Sequence, residues 1–484
     1  MSDSRIKIMV GVATEQNSTN ILPALQLKIN HFISLETSGA ARANWSSGLE
    51  ELLADRNVGF EKLVLLPAED SRIDIIISKI REMLKEYSNF EVIWNLGGGQ
   101  KPQQLAMWQC FLTSQLVNVI QSACYTNPVK HEIELWSLAE NNLTYKTIQL
   151  KNELPAEDLL KLYGFKTSGS RQIYSKWNKD NKPVNEKLWE DKKFREFSFR
   201  VPAVKEDEDM QLDNLVRKVS FELLEREKKE LAKTIEKTVK GLKPSIDTML
   251  NANPLQAGNS ILKAIRKKEE EILRSSLPFK RMKTQSSKVF NNLSRDYFDG
   301  NDIILSYDAF KQMTGRANPA RYFEFVLECR IQSVLEKDNH HILYAYSNVE
   351  VYTNDSKVLV AEYDILLVTE WGTLIALDAK TFEFERKDAN ARLFNLQQAG
   401  GRYVQFIPVI PFDPDDCSEE YFPDKLKRLP VFCKNQKMKL FIITAKPKYE
   451  KFTLTNETLP IKEDETIELI PLELLLESLG LLAK

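Results

Sequence analysis

Histidine and cysteine are scarce in this chain, which holds four histidines and five cysteines in 484 residues. The cysteines (Cys110, Cys124, Cys329, Cys417 and Cys433) form no CxxC pair and are odd in number. That argues against a disulfide framework and a thiolate zinc site, and for reduced, mostly buried thiols. The histidines are too few for a His-rich metal centre, and His340 and His341 are adjacent, a spacing that seldom ligates one ion. Long apolar runs are also missing: none reaches the roughly 18 residues of a membrane helix. The opening MSDSRIKIMV has no charged segment leading into a long apolar one. A cytoplasmic protein with no membrane partner is the expectation. Charge of one sign is lacking too. The formal net charge is −2, so no global positive field advertises nucleic acid, and any polyanion site has to be built locally from a basic groove or a bound metal.

What is present is apolar and aromatic: 43% and 10% of residues, enough to exclude a wholly disordered chain. The length favours two or three domains. Over residues 1–152 strand and helix alternate: apolar runs at 7–14, 31–38, 60–67 and 91–99, a further strand ending near 126, and helical stretches between, one of them at 41–57. This rhythm predicts a Rossmann-like α/β domain with a largely parallel sheet covered on both faces. Ligands of such sheets sit beyond the carboxyl ends of the strands. Those ends are polar and glycine-rich here. They supply the candidate binding residues Thr14, Gln16, Asn17 and Asn20; Thr37 and Ser38; Asn95, Gly97, Gly98, Gly99, Gln100 and Lys101; and Thr126.

Residues 153–300 read as a connecting helix followed by a charged, mostly helical insert, with segments such as ELLEREKKELAKTIEKTVKGLK. A solvated helical linker is a better account of it than a nucleic-acid arm. Residues 301–484 form a second α/β domain, with a helix over NPARYFEFVLECRIQSVLEK, several strands, and another helix over ANARLFNLQQAGGRY.

The strongest chemical pattern lies in this second domain. Glu324 falls in the first helix, Asp364 in the strand AEYDILLVT, and Asp378 and Lys380 in the strand TLIALDAKTF. Phosphodiester hydrolysis needs such a set. Carboxylates from Glu324, Asp364 and Asp378 would hold Mg²⁺ or Mn²⁺, which activates a water, while the lysine orients that water and offsets charge. Glu328, one helical turn on, competes with Glu324 for the role. The bland alternative is ordinary strand-end charges paired with one another. Register discriminates. A two- or four-residue turn would pair Asp364 with Ala379 and turn Asp378 and Lys380 to the opposite face. A three-residue loop with Gly372 in the left-handed conformation would set Asp364 opposite Asp378.

The order Glu-helix, Asp, (D/E)xK, helix resembles the PD-(D/E)xK nuclease superfamily, with Asp378 where many members carry Glu. Ala361–Asp364 departs from the Asn-Glu-Ile-Asp form of close relatives, which leaves an auxiliary role open for Glu362. In the first domain the glycine turn is neither a Walker loop nor a convincing GxGxxG. Glycines there let the backbone approach a ligand, and the helix that follows offers free N–H groups. Together with Asn20-Ile21-Leu22-Pro23, Gly98-Gly99-Gln100-Lys101 resembles the Gly-Gly-Thr-Lys-like turn of the CARF domains of CRISPR-associated effectors, with Gln in place of Thr. The resemblance covers about 1–165 and 300–410. It implies a homodimeric sensor of cyclic oligoadenylate, cyclic tetra-adenylate first, that activates a DNA- or RNA-cleaving domain in type III CRISPR antiviral defence. The rivals are a constitutive repair or restriction nuclease whose first domain only dimerises, and a non-enzymatic nucleotide-sensing regulator. The tryptophans Trp94, Trp108, Trp136, Trp177, Trp189 and Trp371 form no evident stacking stripe and read as core or loop anchors.

Overall fold

The computed structural model describes residues 5–177 (apart from 88, 114–119 and 140–141), the pairs 298–299 and 302–303, and 319–483 (apart from 338, 355–357, 381–385, 402, 413–427 and 456–465). Most of the charged middle stretch, with Trp189, lies outside these residues, as does Cys417. Cys110, Cys124, Cys329 and Cys433 are buried.

The first domain runs β1 (Ile6–Val12), α1 (Ser18–Gln26), β2 (His31–Glu36), α2 (Ser38–Arg42), α3 (Ser47–Ala54), β3 (Gly59–Val64), α4 (Ile73–Leu84), β4 (Phe90–Asn95), α5 (Lys101–Leu112) and β5 (Ile120–Asn127). A hairpin of β6 (Glu132–Ala139) and β7 (Asn142–Gln149) follows, then α6 (Ala156–Lys161). The sheet order is β3-β2-β1-β4-β5-β6-β7. The first five strands are parallel, and β6 and β7 are antiparallel. Apolar β-branched runs make the central strands, because residues buried on both faces have no reason to alternate. Two expectations change in detail. The helix expected over 41–57 breaks into α2 and α3 at Asn44, whose φ of 52° leaves the helical region. The β6–β7 hairpin was not anticipated. Six of β7's eight residues in a row are exposed, so burial gave it no periodic signature.

The second domain opens earlier than residue 301. The strands β8 (Phe165–Ser168) and β9 (Arg171–Ser175) both pair antiparallel with β12 (Ile342–Thr353), so 165–175 belong to the second sheet rather than to an insert. They cover one side of a long strand whose free edge would otherwise invite pairing. A small hairpin joins β10 (Phe298–Asp299) to β11 (Asp302–Ile303). Then come α7 (Pro319–Lys337), β12, β13 (Leu359–Thr369), β14 (Leu374–Ala379), α8 (Arg386–Gly400), β15 (Gln405–Pro411), α9 (Arg428–Asn435), β16 (Leu440–Ile443), β17 (Phe452–Leu454), β18 (Ile467–Pro471) and α10 (Leu475–Ser478). The sheet order is β17-β18-β16-β15-β14-β13-β12-β8, with β9 also on β12.

One core serves both domains. Ile21 and Leu22 of α1, Leu49, Leu52 and Leu53 of α3 and Leu159 and Leu160 of α6 pack in the same cluster as Leu366, Val368, Leu374, Ala376, Leu396 and Phe406. Helices of the first domain therefore lie between the two sheets. On the far face of the second sheet, Phe323, Val326, Leu327 and Ile331 of α7 cover Ile365, Leu367, Ile375 and Leu377.

The β13–β14 connection is the three-residue loop. Thr369 N donates to Thr373 O at 3.1 Å and Gly372 N to Thr369 O at 3.0 Å, leaving Glu370, Trp371 and Gly372 as the turn. Gly372 has φ 77°. A Cβ there would also lie 2.9 Å from Leu22 Cδ1. Gly372→Ala is expected to lower stability by about 1–2 kcal/mol, the cost of a left-handed non-glycine residue. A fall in the urea midpoint with an unchanged slope would register it.

Candidate functional site

The pairing of Ile365 with Leu377 and Leu367 with Ile375, carried on by one residue, sets Asp364 opposite Asp378. The odd register that the carboxylate constellation requires is therefore present. A second local feature aims the acids. Ile365 and Leu367 point into the α7-side core, while both Ala361 and Tyr363 join Leu366 and Val368 in the other one. The in–out parity of β13 thus reverses across Asp364. Opposite it on β12, between the paired residues 347 and 349, stands Asn348 with φ 52°. The strand is kinked there, and a kink of this kind re-aims a side chain.

Asp378 is fully buried and Asp364 half-buried. Asp364 Oδ2 accepts the Ala379 amide at 2.6 Å. Its carboxyl is held well above the usual aspartate range, first by enclosure, then by the charges of Glu324 and Asp378; the Ala379 amide and Lys380 offset this only in part. Glu324 is thereby placed within electrostatic reach of the pair. Glu328 is not free for that work: it is buried and ion-paired with Arg171 of β9. Lys380 Nζ lies 2.8 Å from Asp378 Oδ2, yet that oxygen accepts no hydrogen bond. Asp378 Oδ1 is ion-paired to Arg392 of α8. The sequence reading missed Arg392, because a lone arginine on a helix that is mostly polar carries no signal until the helix is docked. Burial would lower its guanidinium's pKa, but Asp378, Asp364 and Glu362 together raise it. Glu362 acts through this field.

These residues suit a divalent cation. Two facing carboxylates, one with a buried oxygen that accepts no hydrogen bond and one strained by like charge, form a seat that positive charge would relieve. Mg²⁺-type ions commonly use only one or two protein carboxylates and complete their shell with water and phosphate. Among the described residues, however, no three His, Cys, Asp or Glu side chains close into a metal-holding set. The facing pair is Asp364 and Asp378, and Glu324 acts on Asp364 through its charge from α7.

In the first domain the strand order reverses between β1 and β4, and the loops after these two strands carry the candidate binding residues. Asn17, Asn20 and Asn95 are buried. Asn95 Nδ2 donates to Asn20 Oδ1 at 2.8 Å and to Thr19 O at 2.9 Å. Asn20 Nδ2 donates to Val12 O and Asn17 Oδ1, and Asn17 Nδ2 to Trp45 O. They brace the two loops from within. Thr37 caps α2, and Ser38 is held by Asp70 through both its amide and its hydroxyl. Thr126 is buried with its Oγ1 unpartnered.

The open rim is Thr14, Gln16, Gly97, Gly99, Gln100 and Lys101. Gly98 lies just beneath it, where a Cβ would fall 2.7 Å from Thr14 Cγ2, so only glycine lets the loops meet. The α5 terminus offers fewer donors than expected. Pro102 has no N–H, and the Gln100 amide is taken by Gln103 Oε1 at 3.1 Å. Beside the rim, Leu96, Lys101, Gln104, Leu105, Trp108, Tyr125 and Trp136 line a cleft of about 550 Å³. Trp108 meets Trp136 edge to face at 6.0 Å. These two are cleft residues, whereas Trp94 is a core anchor as expected.

The two regions are in direct contact. Gln16, Ser18, Thr19 and Leu22 share a small cavity with Thr126, His131, Trp371, Gly372, Thr373, Gly400 and Tyr403. Trp371 stacks on His131 at 3.9 Å and 10°, and Asn152 N donates to Glu370 O at 2.5 Å. The turn that joins the two acidic strands is thus seated against the start of α1.

No protein-family model matches the chain, and no curated protein sequence matches it. Solved structures do. Protein VC1899 from Vibrio cholerae is similar over 90% of this chain and 94% of its own, with TM-score 0.50 and 14% identity. Can2 from Sulfobacillus thermosulfidooxidans, in complex with cyclic tetra-adenylate, is similar over 89% of this chain and 98% of its own, with TM-score 0.47 and 13% identity. A type III CRISPR defence DNA nuclease activated by cyclic oligoadenylate is similar over 93% of this chain and 49% of its own, with TM-score 0.41 and 12% identity. At these identities the likeness to VC1899 is one of fold.

The raised Asp364 pKa has a consequence for stability. A carboxyl whose folded pKa is elevated supports folding below the ordinary value of about 3.9 and loses that contribution as pH rises through the elevated one. In metal-free buffer, Asp364→Asn is therefore expected to raise the melting temperature at pH 8, and the gain should vanish near pH 4. Equal melting temperatures at pH 8 would contradict the crowding of carboxylates.

Proposed function

We propose that the chain is a cyclic oligoadenylate-gated, metal-dependent nuclease of type III CRISPR antiviral defence, acting on DNA, RNA or both with little sequence readout. The observation that carries this reading is the register that sets Asp364 against Asp378, beside Lys380, at the end of a hairpin whose turn rests on the sensor loop.

Asp364 and Asp378 would hold Mn²⁺ or Mg²⁺. When bound, such an ion polarises the scissile phosphate and lowers the pKa of an attacking water. The protein's own part is positioning. The Ala379 amide fixes Asp364, the buried strand β14 fixes Asp378, and Lys380, tethered beside Asp378, would orient the water and offset charge on the phosphate. Lys380 N donates to Val409 O at 2.8 Å, so its backbone is held in the sheet while its side chain reaches out.

The activator reading rests on the switch-point loops and on Gly98-Gly99-Gln100-Lys101. Lys101 supplies positive charge for phosphate, and Trp108, Tyr125 and Trp136 offer aromatic faces nearby. Leu105 and Leu112 stand exposed along α5. They support a homodimer built on this helix, in which a ring-shaped ligand spans a two-fold axis. Ligand would favour the active arrangement only by binding it more tightly than the resting one.

With Mn²⁺ and cyclic tetra-adenylate, cleavage of single-stranded DNA, RNA and supercoiled plasmid should include at least one strongly cut substrate. Asp364→Ala should reduce that cutting by about 10²-fold or more. Cutting without activator would turn the first domain into a dimerisation module, and no cutting with any ring size would favour a non-enzymatic regulator. Trp371→Ala should separate sensing from cleavage. Activator binding by calorimetry would stay near wild type, while activated cleavage falls by about tenfold, a coupling energy within the usual range.

A further inference from the structure

Asp378 is a fully buried carboxylate with two cationic neighbours. Lys380 belongs to the catalytic pattern. Arg392 does not, yet it takes the other oxygen. Together they bring two positive charges to the seat, the same charge that a divalent ion would bring. Arg392 is also the most exposed of the three partners: its side chain is about a third exposed, against 18% for Lys380 and 1% for Asp378. It reaches the seat from α8, across the sheet face opposite α7, and among the described residues its guanidinium is ion-paired with Asp378. A guanidinium and a hard cation compete for one carboxylate oxygen, and a buried acid is the place where that competition is felt most.

The helix that carries Arg392 ends against the sensor. Gly401, just past α8, has φ 84°, and a Cβ there would lie 2.6 Å from Gln16 Oε1 and 2.8 Å from the Tyr163 hydroxyl. Tyr163 in turn hydrogen-bonds Ser18 at 3.3 Å. Gly400 lines the same cavity as Gln16, Ser18 and Thr19. Any rearrangement of the loop after β1 is therefore met first by the turn of the acidic hairpin and by the end of α8.

We infer that Arg392 is a positioning residue that occupies the Asp378 seat in the resting chain in place of a divalent cation, and that the sensor loop releases it through α8. This rests on the metal-nuclease reading above and adds the regulation of that site. A resting enzyme whose metal seat is filled by its own arginine binds metal weakly until the signal arrives. The stored ion pair is then recovered in part by the cation and in part by the new position of the guanidinium.

The test is Mn²⁺ binding to the full-length chain without nucleic acid, read from the free-Mn²⁺ electron paramagnetic resonance signal. Wild type, Arg392→Gln, Arg392→Lys and Asp378→Asn are compared, each with and without cyclic tetra-adenylate. Arg392→Gln is expected to bind Mn²⁺ about tenfold more tightly than wild type, as removal of one nearby positive charge implies. Arg392→Lys should stay near wild type. Cyclic tetra-adenylate should tighten Mn²⁺ binding to wild type and do little to Arg392→Gln. A merely structural arginine would give the opposite sign, since its loss would loosen the site. Circular dichroism melts check that each variant is folded, and Arg392→Lys serves as the readout where Arg392→Gln fails to fold: a lysine variant that loses Mn²⁺ binding overturns the proposal. Binding that Asp378→Asn abolishes but Arg392→Gln leaves unchanged or weakens overturns it as well, and leaves the nuclease reading standing. No saturable Mn²⁺ binding in any variant overturns the metal reading, and this proposal with it.

Discussion

The turn Glu370–Trp371–Gly372 is the constraint on which the rest depends. Its length sets the register of β13 on β14, and register decides whether Asp364 faces Asp378 or Ala379. Its glycine adopts the left-handed conformation that a three-residue hairpin loop needs. Its tryptophan stacks on His131 and meets His341 at 5.0 Å, and its glutamate accepts from His341 and is paired with Lys176. The same three residues that bring the acids together therefore also dock the hairpin on the first domain.

That docking is supported by a core that does not respect the domain boundary. Leu22 of α1, Leu160 of α6, Leu374 of β14 and Leu396 of α8 belong to one apolar cluster. Packed interiors deform poorly, and small changes in them move whole elements rather than dissipating. Two domains joined by a loose linker would rely on proximity alone. Here the loop after β1, the hairpin turn and the end of α8 share a surface, and two of these elements lead directly to residues of the acidic site.

The site itself is costly to keep. Three carboxylates crowd the end of the hairpin, Asp364 is held protonated-prone by enclosure and like charge, and Asp378 retains an oxygen with no hydrogen bond. Such groups would not persist for the sake of stability, since apolar replacements would pack at lower cost. The buried asparagine network under the β1 and β4 loops is the contrary case: its side-chain amides are satisfied, and it rigidifies the rim that carries Thr14, Gln16 and Lys101.

The two α/β domains, the alternating strands and helices of the first, and the chemically matched set Glu324, Asp364, Asp378 and Lys380 were legible in the sequence, because periodicity and residue chemistry are local properties. The need for an odd register was legible too, since it follows from counting residues around Gly372. Other features were decided only in three dimensions. Residues 165–175 joined the second sheet because β12 offered an edge, which no local pattern announces. Glu328 was withdrawn from the site by Arg171, a residue 157 positions away in the chain. Arg392 entered it because α8 docks across β13 and β14. Asn17, Asn20 and Asn95 turned inward to brace the loops, while Trp108 and Trp136 came together in an open cleft. In each case the deciding partner is remote in sequence, and burial, the force that selects it, acts only once the chain has closed on itself.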